Sequence, residues 1–245
     1  MLDRRRFFRA LVAASVWGVT TRYVVARGPK IVRAGAGSCG ELRFIPACDE
    51  VGGAFDANRR SVVFVHGFNP FSKCVHFELG VAARQGSFGG SDVNVWEWDW
   101  NQATMASLRP AVNVVNAQGQ GESLATALVA AGLTPSGTEL VGHSLGCIVV
   151  AAAARHWSET TGERVAVVTL LEPLRGNHGT IFDDERVADY ADRVENRWSP
   201  GLSGFGAPAS RAGVSDIRTP GRTPVRGLVL PHRMNHVDAL RQFFE

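Results

Sequence analysis

Lysine is almost absent from this chain. Of its 26 Lys and Arg residues only Lys30 and Lys73 are lysine. Against 23 Asp and Glu the net charge is +3, and beyond residues 1–9 no basic cluster stands out. Nucleic-acid binding draws on concentrated cationic surface, so this distribution argues against such a partner. Long apolar runs are missing too, because the N-terminal one spans only residues 10–19, short of the roughly twenty residues a spanning helix needs. The four cysteines show no spacing with histidine that resembles a zinc site, and no metal or other cofactor is expected. Internal repeats and an interdomain linker are also lacking. What is present, 245 residues with 45% hydrophobic and 20% charged, is ordinary globular composition at the size of one α/β domain.

The amino terminus stands apart. Met1-Leu2-Asp3-Arg4-Arg5-Arg6-Phe7-Phe8-Arg9 sets adjacent arginines before two phenylalanines and leads into the apolar segment 10–19. It resembles a bacterial twin-arginine export signal. Residues 1–28 are therefore expected to be an export signal, or a membrane anchor if uncleaved, and residues 29–245 a single folded domain. The expected location is periplasmic or secreted, with membrane association through the N-terminal segment if it is retained. Outside the cytoplasm Cys39 and Cys48 are spaced to close a small disulfide loop, although spacing leaves their pairing open. Cys74 reads as a loop residue and Cys147 as a small buried one.

The rest of the chain alternates strand and helix signals. The apolar run 61–65 reads as a central parallel strand, followed by a short helix over 76–85 and a strand over 93–98. A helix over 118–131 stops at Gly132 and Pro135. Further strands are expected at 138–141 and 165–171, weaker ones at 194–198 and 225–230, and a closing helix over 237–244. Regular alternation predicts an α/β fold, a mostly parallel doubly wound sheet with helices on both faces. The stretch 198–224 is rich in Gly, Pro and Ser without periodicity. With 175–192 it is the expected material for a lid or a substrate-binding wall, or else an irregular surface excursion.

Gly142-His143-Ser144-Leu145-Gly146 joins the strand 138–141 to the apolar stretch 147–154. A Gly-x-Ser-x-Gly pattern between strand and helix is a candidate nucleophile elbow, in which glycines flank a sharp turn that has no room for side chains. A nucleophilic Ser144 needs an oxyanion hole, an acid and a base. Gly67, in His66-Gly67-Phe68 after the strand 61–65, lets the backbone approach a substrate carbonyl, which makes the Phe68 and Leu145 N–H groups the expected donors. His66 itself reads as a structural hydrogen-bonder of that loop. Glu172 follows the strand 165–171 and precedes Pro173, so it is the favoured acid, with Asp183, Asp184 and Asp216 as alternatives. The turn after the next strand, Trp198-Ser199-Pro200-Gly201, offers no carboxylate. The base should come last in the chain. His236, at the start of the closing helix, is favoured over His232, and His178 is the weakest candidate.

These landmarks, with Trp96-Glu97-Trp98-Asp99-Trp100, Leu171-Glu172-Pro173 and Asn235-His236, resemble the ordered motifs of the pancreatic-type lipase family over residues 61–236. The resemblance implies the α/β-hydrolase fold and a lipase or esterase with Ser144 as nucleophile, His236 as base, and Phe68 and Leu145 as oxyanion donors. It also supports an acid after the Leu-Glu-Pro strand. Two departures matter. That family usually carries Asp where this chain has Glu172, and here the sequence stops soon after His236, without room for the lipid-binding β-sandwich of animal members. The expected substrate is accordingly a small-molecule ester or lipid, with soluble or short-chain esters gaining weight. Thioesterase, polyester depolymerase or acyltransferase chemistry on the same triad, and an inactive binding scaffold, are the alternatives. Oligomeric state and acyl chain length are not legible.

Overall fold

The computed structural model describes residues 31–33, 40–45, 55–68, 93–100, 110–199 and 206–218. Among the described residues eight strands form one sheet: β1 (Ile31–Arg33), β2 (Glu41–Ile45), β3 (Arg60–Val65), β4 (Val93–Asp99), β5 (Thr138–His143), β6 (Val165–Leu171), β7 (Ala191–Trp198) and β8 (Val214–Arg218), in the order β1-β2-β4-β3-β5-β6-β7-β8. Pairings from β4 through β3, β5, β6 and β7 to β8 are parallel, and only β1–β2 and β2–β4 are antiparallel. The central strands are apolar along most of their length, as strands covered on both faces must be. The strands expected at 61–65, 93–98, 138–141 and 165–171 are all present, each within a residue or two of its expected bounds.

Two long helices carry the core. Helix α1 (Pro110–Ala131) begins eight residues before the expected 118. The added residues 110–117 hold three valines and two asparagines, weak helix formers that mask the helical signal, while Pro110 is tolerated in an opening turn because its missing N–H would be unpaired anyway. It stops at Gly132 (φ 78), where Leu133 N–H reaches back to Leu128 O at 3.1 Å. Helix α2 (Gly146–Thr161) is capped by Gly162 at φ 78, whose N–H returns to Ser158 O at 2.7 Å. Residues 146–154 of α2 are buried without interruption, since one side meets α1 and the other the sheet. Leu140, Val63, Val65, Val168 and Leu170 join the α1–α2 core.

Residues 175–192, expected as a lid, a substrate-binding wall or a surface excursion, are packed onto the body. A 3-10 turn (Arg175–Asn177), a π-helical turn (Gly179–Asp184) and a single helical turn, α3 (Val187–Tyr190), bury Ile181, Glu185 and Val187 completely or nearly so. Glu185 fixes the segment, accepting from Gln118 Nε2 of α1 at 2.7 Å and Arg155 Nε of α2 at 2.8 Å. The aperiodic stretch 198–224 also holds a strand the sequence concealed, β8. Its five residues, Val-Ser-Asp-Ile-Arg, are mostly exposed and gain their order from pairing with β7. Strands β1 and β2 were likewise unanticipated; in β2 the alternation of buried Leu42 and Phe44 with half-buried Glu41 and Arg43 matches Trp98 and Trp96 across the ladder. The expected helices over 76–85 and 237–244, the strand 225–230, and Cys39, Cys48 and Cys74 lie outside the described residues. No described helix is long and apolar enough to cross a membrane.

Candidate active site

The elbow forms where β5, wholly buried between β3 and β6, meets α2. Ser144 takes φ 54, a left-handed conformation that side-chain-bearing residues rarely adopt. The turn is tight enough that a Cβ on Gly142 would stand 2.5 Å from Gly146 O, and one on Gly146 would overlap Val65 O and lie 2.6 Å from His66 O. Both flanking glycines are therefore required by backbone contact. Ser144 N–H donates to Leu171 O of β6 at 2.9 Å, and Cys147 N–H returns to Ser144 O at 3.1 Å, so the strained residue is tied on both sides. Beneath it Cys147 is fully buried, its Sγ 3.2 Å from Gly142 O, and burial pushes its thiol well above the ordinary cysteine range.

Gly67 is pressed against the serine. A Cβ there would lie 2.7 Å from Ser144 Cβ and 3.2 Å from Ser144 Oγ, so the backbone running into Phe68 passes beside the hydroxyl. Among the described residues neither the Phe68 N–H nor the Leu145 N–H is used in a hydrogen bond. His66 is consumed by the scaffold. Its Nδ1 donates to Gly67 O at 2.7 Å, its Nε2 accepts Trp100 N–H at 3.4 Å, and its carbonyl accepts the Trp100 indole at 3.0 Å, with the two rings tilted face to face at 5.5 Å. The tautomer follows from that network. It agrees with the structural role expected of His66.

Glu172 stands one strand over in the equivalent place. It follows β6 directly, has φ 50, and donates its N–H to Arg197 O of β7 at 2.9 Å, just as Ser144 donates to β6. The side chain is 2% exposed, with Oε1 accepting Ser199 N–H at 2.6 Å. Burial raises its pKa above the usual carboxylate range, while the Ser199 side chain and backbone oppose the shift by hydrogen-bonding to the charged form. The turn after β7, which offers no acid, thus supplies a donor to the acid of the preceding strand. Nothing in the spacing pointed to Ser199.

The alternative carboxylates have other partners or none at hand. Asp183 forms an ion pair with Arg211 at 2.8 Å with both side chains about half exposed, and Asp184 is exposed on the π-helical turn. Asp216 accepts Asn196 Nδ2 and the Ala209 and Ser210 N–H groups at 2.7 to 2.9 Å, which knots residues 209–210 to β8. Desolvation would raise its pKa, but those hydrogen bonds and the neighbouring His178 outweigh it and hold the carboxyl low. His178 is half buried, edge-on to Phe182 at 5.5 Å, and burial lowers its pKa. His236 and His232 lie outside the described residues.

No family model and no curated protein matches the chain. Solved structures do. Esterase 2 of Thermogutta terrifontis, phosphoramylated by tabun, superposes with a TM-score of 0.52 at 14% identity over 90% of this chain and 94% of that one. The same esterase phosphorylated by paraoxon gives 0.51 at 14% identity over 90% and 95%, and its propionate-bound form 0.50 at 15% identity over 88% and 92%. At such identity the likeness speaks for architecture alone, and with the observed strand order it gives the conclusion: this chain has the α/β-hydrolase fold.

Proposed function

We propose that this protein is a serine hydrolase of carboxylic esters that works through an acyl-enzyme. The observation that carries the reading is the placement of Ser144 at positive φ between β5 and α2, with Gly67 against its Oγ. Ser144 Oγ attacks the ester carbonyl as His236 takes its proton, and the Phe68 and Leu145 N–H groups receive the oxyanion. Collapse breaks the carbonyl–alkoxide bond, His236 returns the proton to the leaving alcohol, and a water deprotonated by His236 then releases the acid and regenerates Ser144. Glu172 orients His236 and stabilises its charged form. The equivalence of Glu172 and Ser144 on neighbouring strands supports that assignment, and the organophosphate adducts named for the Thermogutta esterase are consistent with an ester-cleaving relative of this fold. The substrate is a small ester or lipid, and the twin-arginine-like segment directs the protein to the periplasm or outside the cell.

The test compares wild type with Ser144→Ala, using a fluorophosphonate probe and nitrophenyl esters of several chain lengths. Labelling and turnover that both vanish in Ser144→Ala are expected. Absence of Ser144-dependent labelling would leave a binding scaffold as the better reading, while turnover confined to thioesters would point to a thioesterase.

A further inference from the structure

The segment resuming at Gly206 does more than lead into β8. Glu172 Oε1 is held by Ser199 N–H, and Oε2 lies over the α-carbon of Gly206. A Cβ on Gly206 would overlap Oε2 and stand 3.0 Å from Ser199 O and 3.2 Å from Glu172 Cδ. Gly206 has φ +59 and is fastened at both polar groups: its N–H donates to Pro173 O at 3.1 Å, and its carbonyl accepts Arg175 Nε at 3.1 Å. The turn after β6 therefore grips the segment after β7, and the Glu172 carboxylate is enclosed between them with a donor on one oxygen and a missing side chain at the other.

We infer that Gly206 is a positioning residue for the Glu172 carboxylate, its lack of a side chain setting where the acid is presented to the base. The inference rests on the reading of Glu172 as the orienting acid. It also explains how this chain accommodates Glu. The additional methylene carries the carboxylate about 1.5 Å further from its strand, and the vacant Cβ position of Gly206 is the space that receives it.

The test is a double-mutant cycle on a short-chain nitrophenyl ester, with wild type, Glu172→Asp, Gly206→Ala and the double variant followed by kcat, KM, fluorophosphonate labelling rate and thermal unfolding. Gly206→Ala is expected to lower kcat by about 10²-fold, as a misplacement of about 1 Å does, with KM changed less than about twofold. Labelling should slow in proportion. In the Glu172→Asp background the same alanine should cost less than about threefold, because the shorter acid leaves the space free. An equal cost in both backgrounds overturns the inference, since backbone strain rather than contact with the carboxylate would then be responsible. A loss carried by KM overturns it as well. If Gly206→Ala does not fold, a folded and active double variant supports the inference, and an unfolded double beside a folded Glu172→Asp overturns it. Glu172→Gln is the separate control. If that variant keeps turnover within a few fold of wild type, the acid assignment itself fails; if it is crippled while Gly206→Ala is not, only the role of Gly206 fails.

Discussion

Ser144 and Glu172 have side chains yet sit at φ 54 and φ 50, each just past a strand and each donating its N–H to the end of the next strand. Strain of this kind costs on the order of 1–3 kcal/mol per residue and persists only where the surroundings fix it. For Glu172 the cost is compounded by burial, which raises the folded pKa above the unfolded one. A carboxyl so shifted binds its proton more tightly in the folded state. Its favourable contribution is therefore present below the unfolded pKa and is lost as pH rises through the folded value. Glu172→Gln cannot ionise and keeps an oxygen for Ser199 N–H. It is expected to unfold at a higher temperature than wild type at neutral pH, with the gap closing as pH falls through the carboxylate range. Its kcat should nevertheless drop by about 10²- to 10⁴-fold. Parallel calorimetry and kinetics check this, and a variant that loses both stability and activity would speak for a structural carboxylate instead.

At the scale of elements, the strands that could be read were those whose apolar runs are long enough to be buried on both sides. The run 165–171 coincides with β6 residue for residue. Strand β8 was illegible because Val214 and Ile217 are its only apolar residues and its order comes from β7 and the Asp216 knot, neither of them local. The start of α1 was hidden by valines and asparagines of low helix propensity, which packing overrides. The site divides along the same line. Ser144 and Glu172 were visible as candidates because each stands directly after a strand end, whereas the contacts of Ser199 and Gly206 with Glu172 span 27 residues or more and leave no spacing signal. Glu185 is another long-range tie, joining α1, α2 and the segment before α3 from a site 1% exposed. Its removal leaves Arg155 and Gln118 without that acceptor. Because Arg155 remains partly solvated, Glu185→Ala is expected to cost about 2–3 kcal/mol rather than the larger penalty of a stranded buried charge. Urea unfolding measures it, and Glu185→Gln should recover part of the loss by keeping the Gln118 contact.

Over the whole molecule the sheet has two unlike faces. Strand alternation and register put Leu140, Val63, Val168 and Leu170 toward α1 and α2, and Val62, Phe64, Val141, Val167 and Leu171 on the opposite face. That second set lies outside the α1–α2 core cluster yet is no more than 5% exposed. Charges bound it on both flanks: Arg43 with Glu41 and Asp99 on one side, and Glu195 with Arg193 and Arg197 on the other. Glu97, Glu139 and Thr169 share that face and are buried too, with Thr169 Oγ1 donating to Glu139 Oε1 at 2.8 Å, so even its polar groups are shielded, the pattern of a covered sheet face and not of a solvated one. The doubly wound reading therefore makes a quantitative claim. Phe64→Ala should cost about 3–5 kcal/mol, comparable with the roughly 2–5 kcal/mol for Leu140→Ala on the α2 side, because both leave a cavity in a closed interior. A face open to solvent would give well under about 1 kcal/mol for the same truncation. Denaturant midpoints for the two variants at equal m-value make the comparison, and equal losses require that the apolar interior extend through the sheet on either side of the strand that carries Ser144.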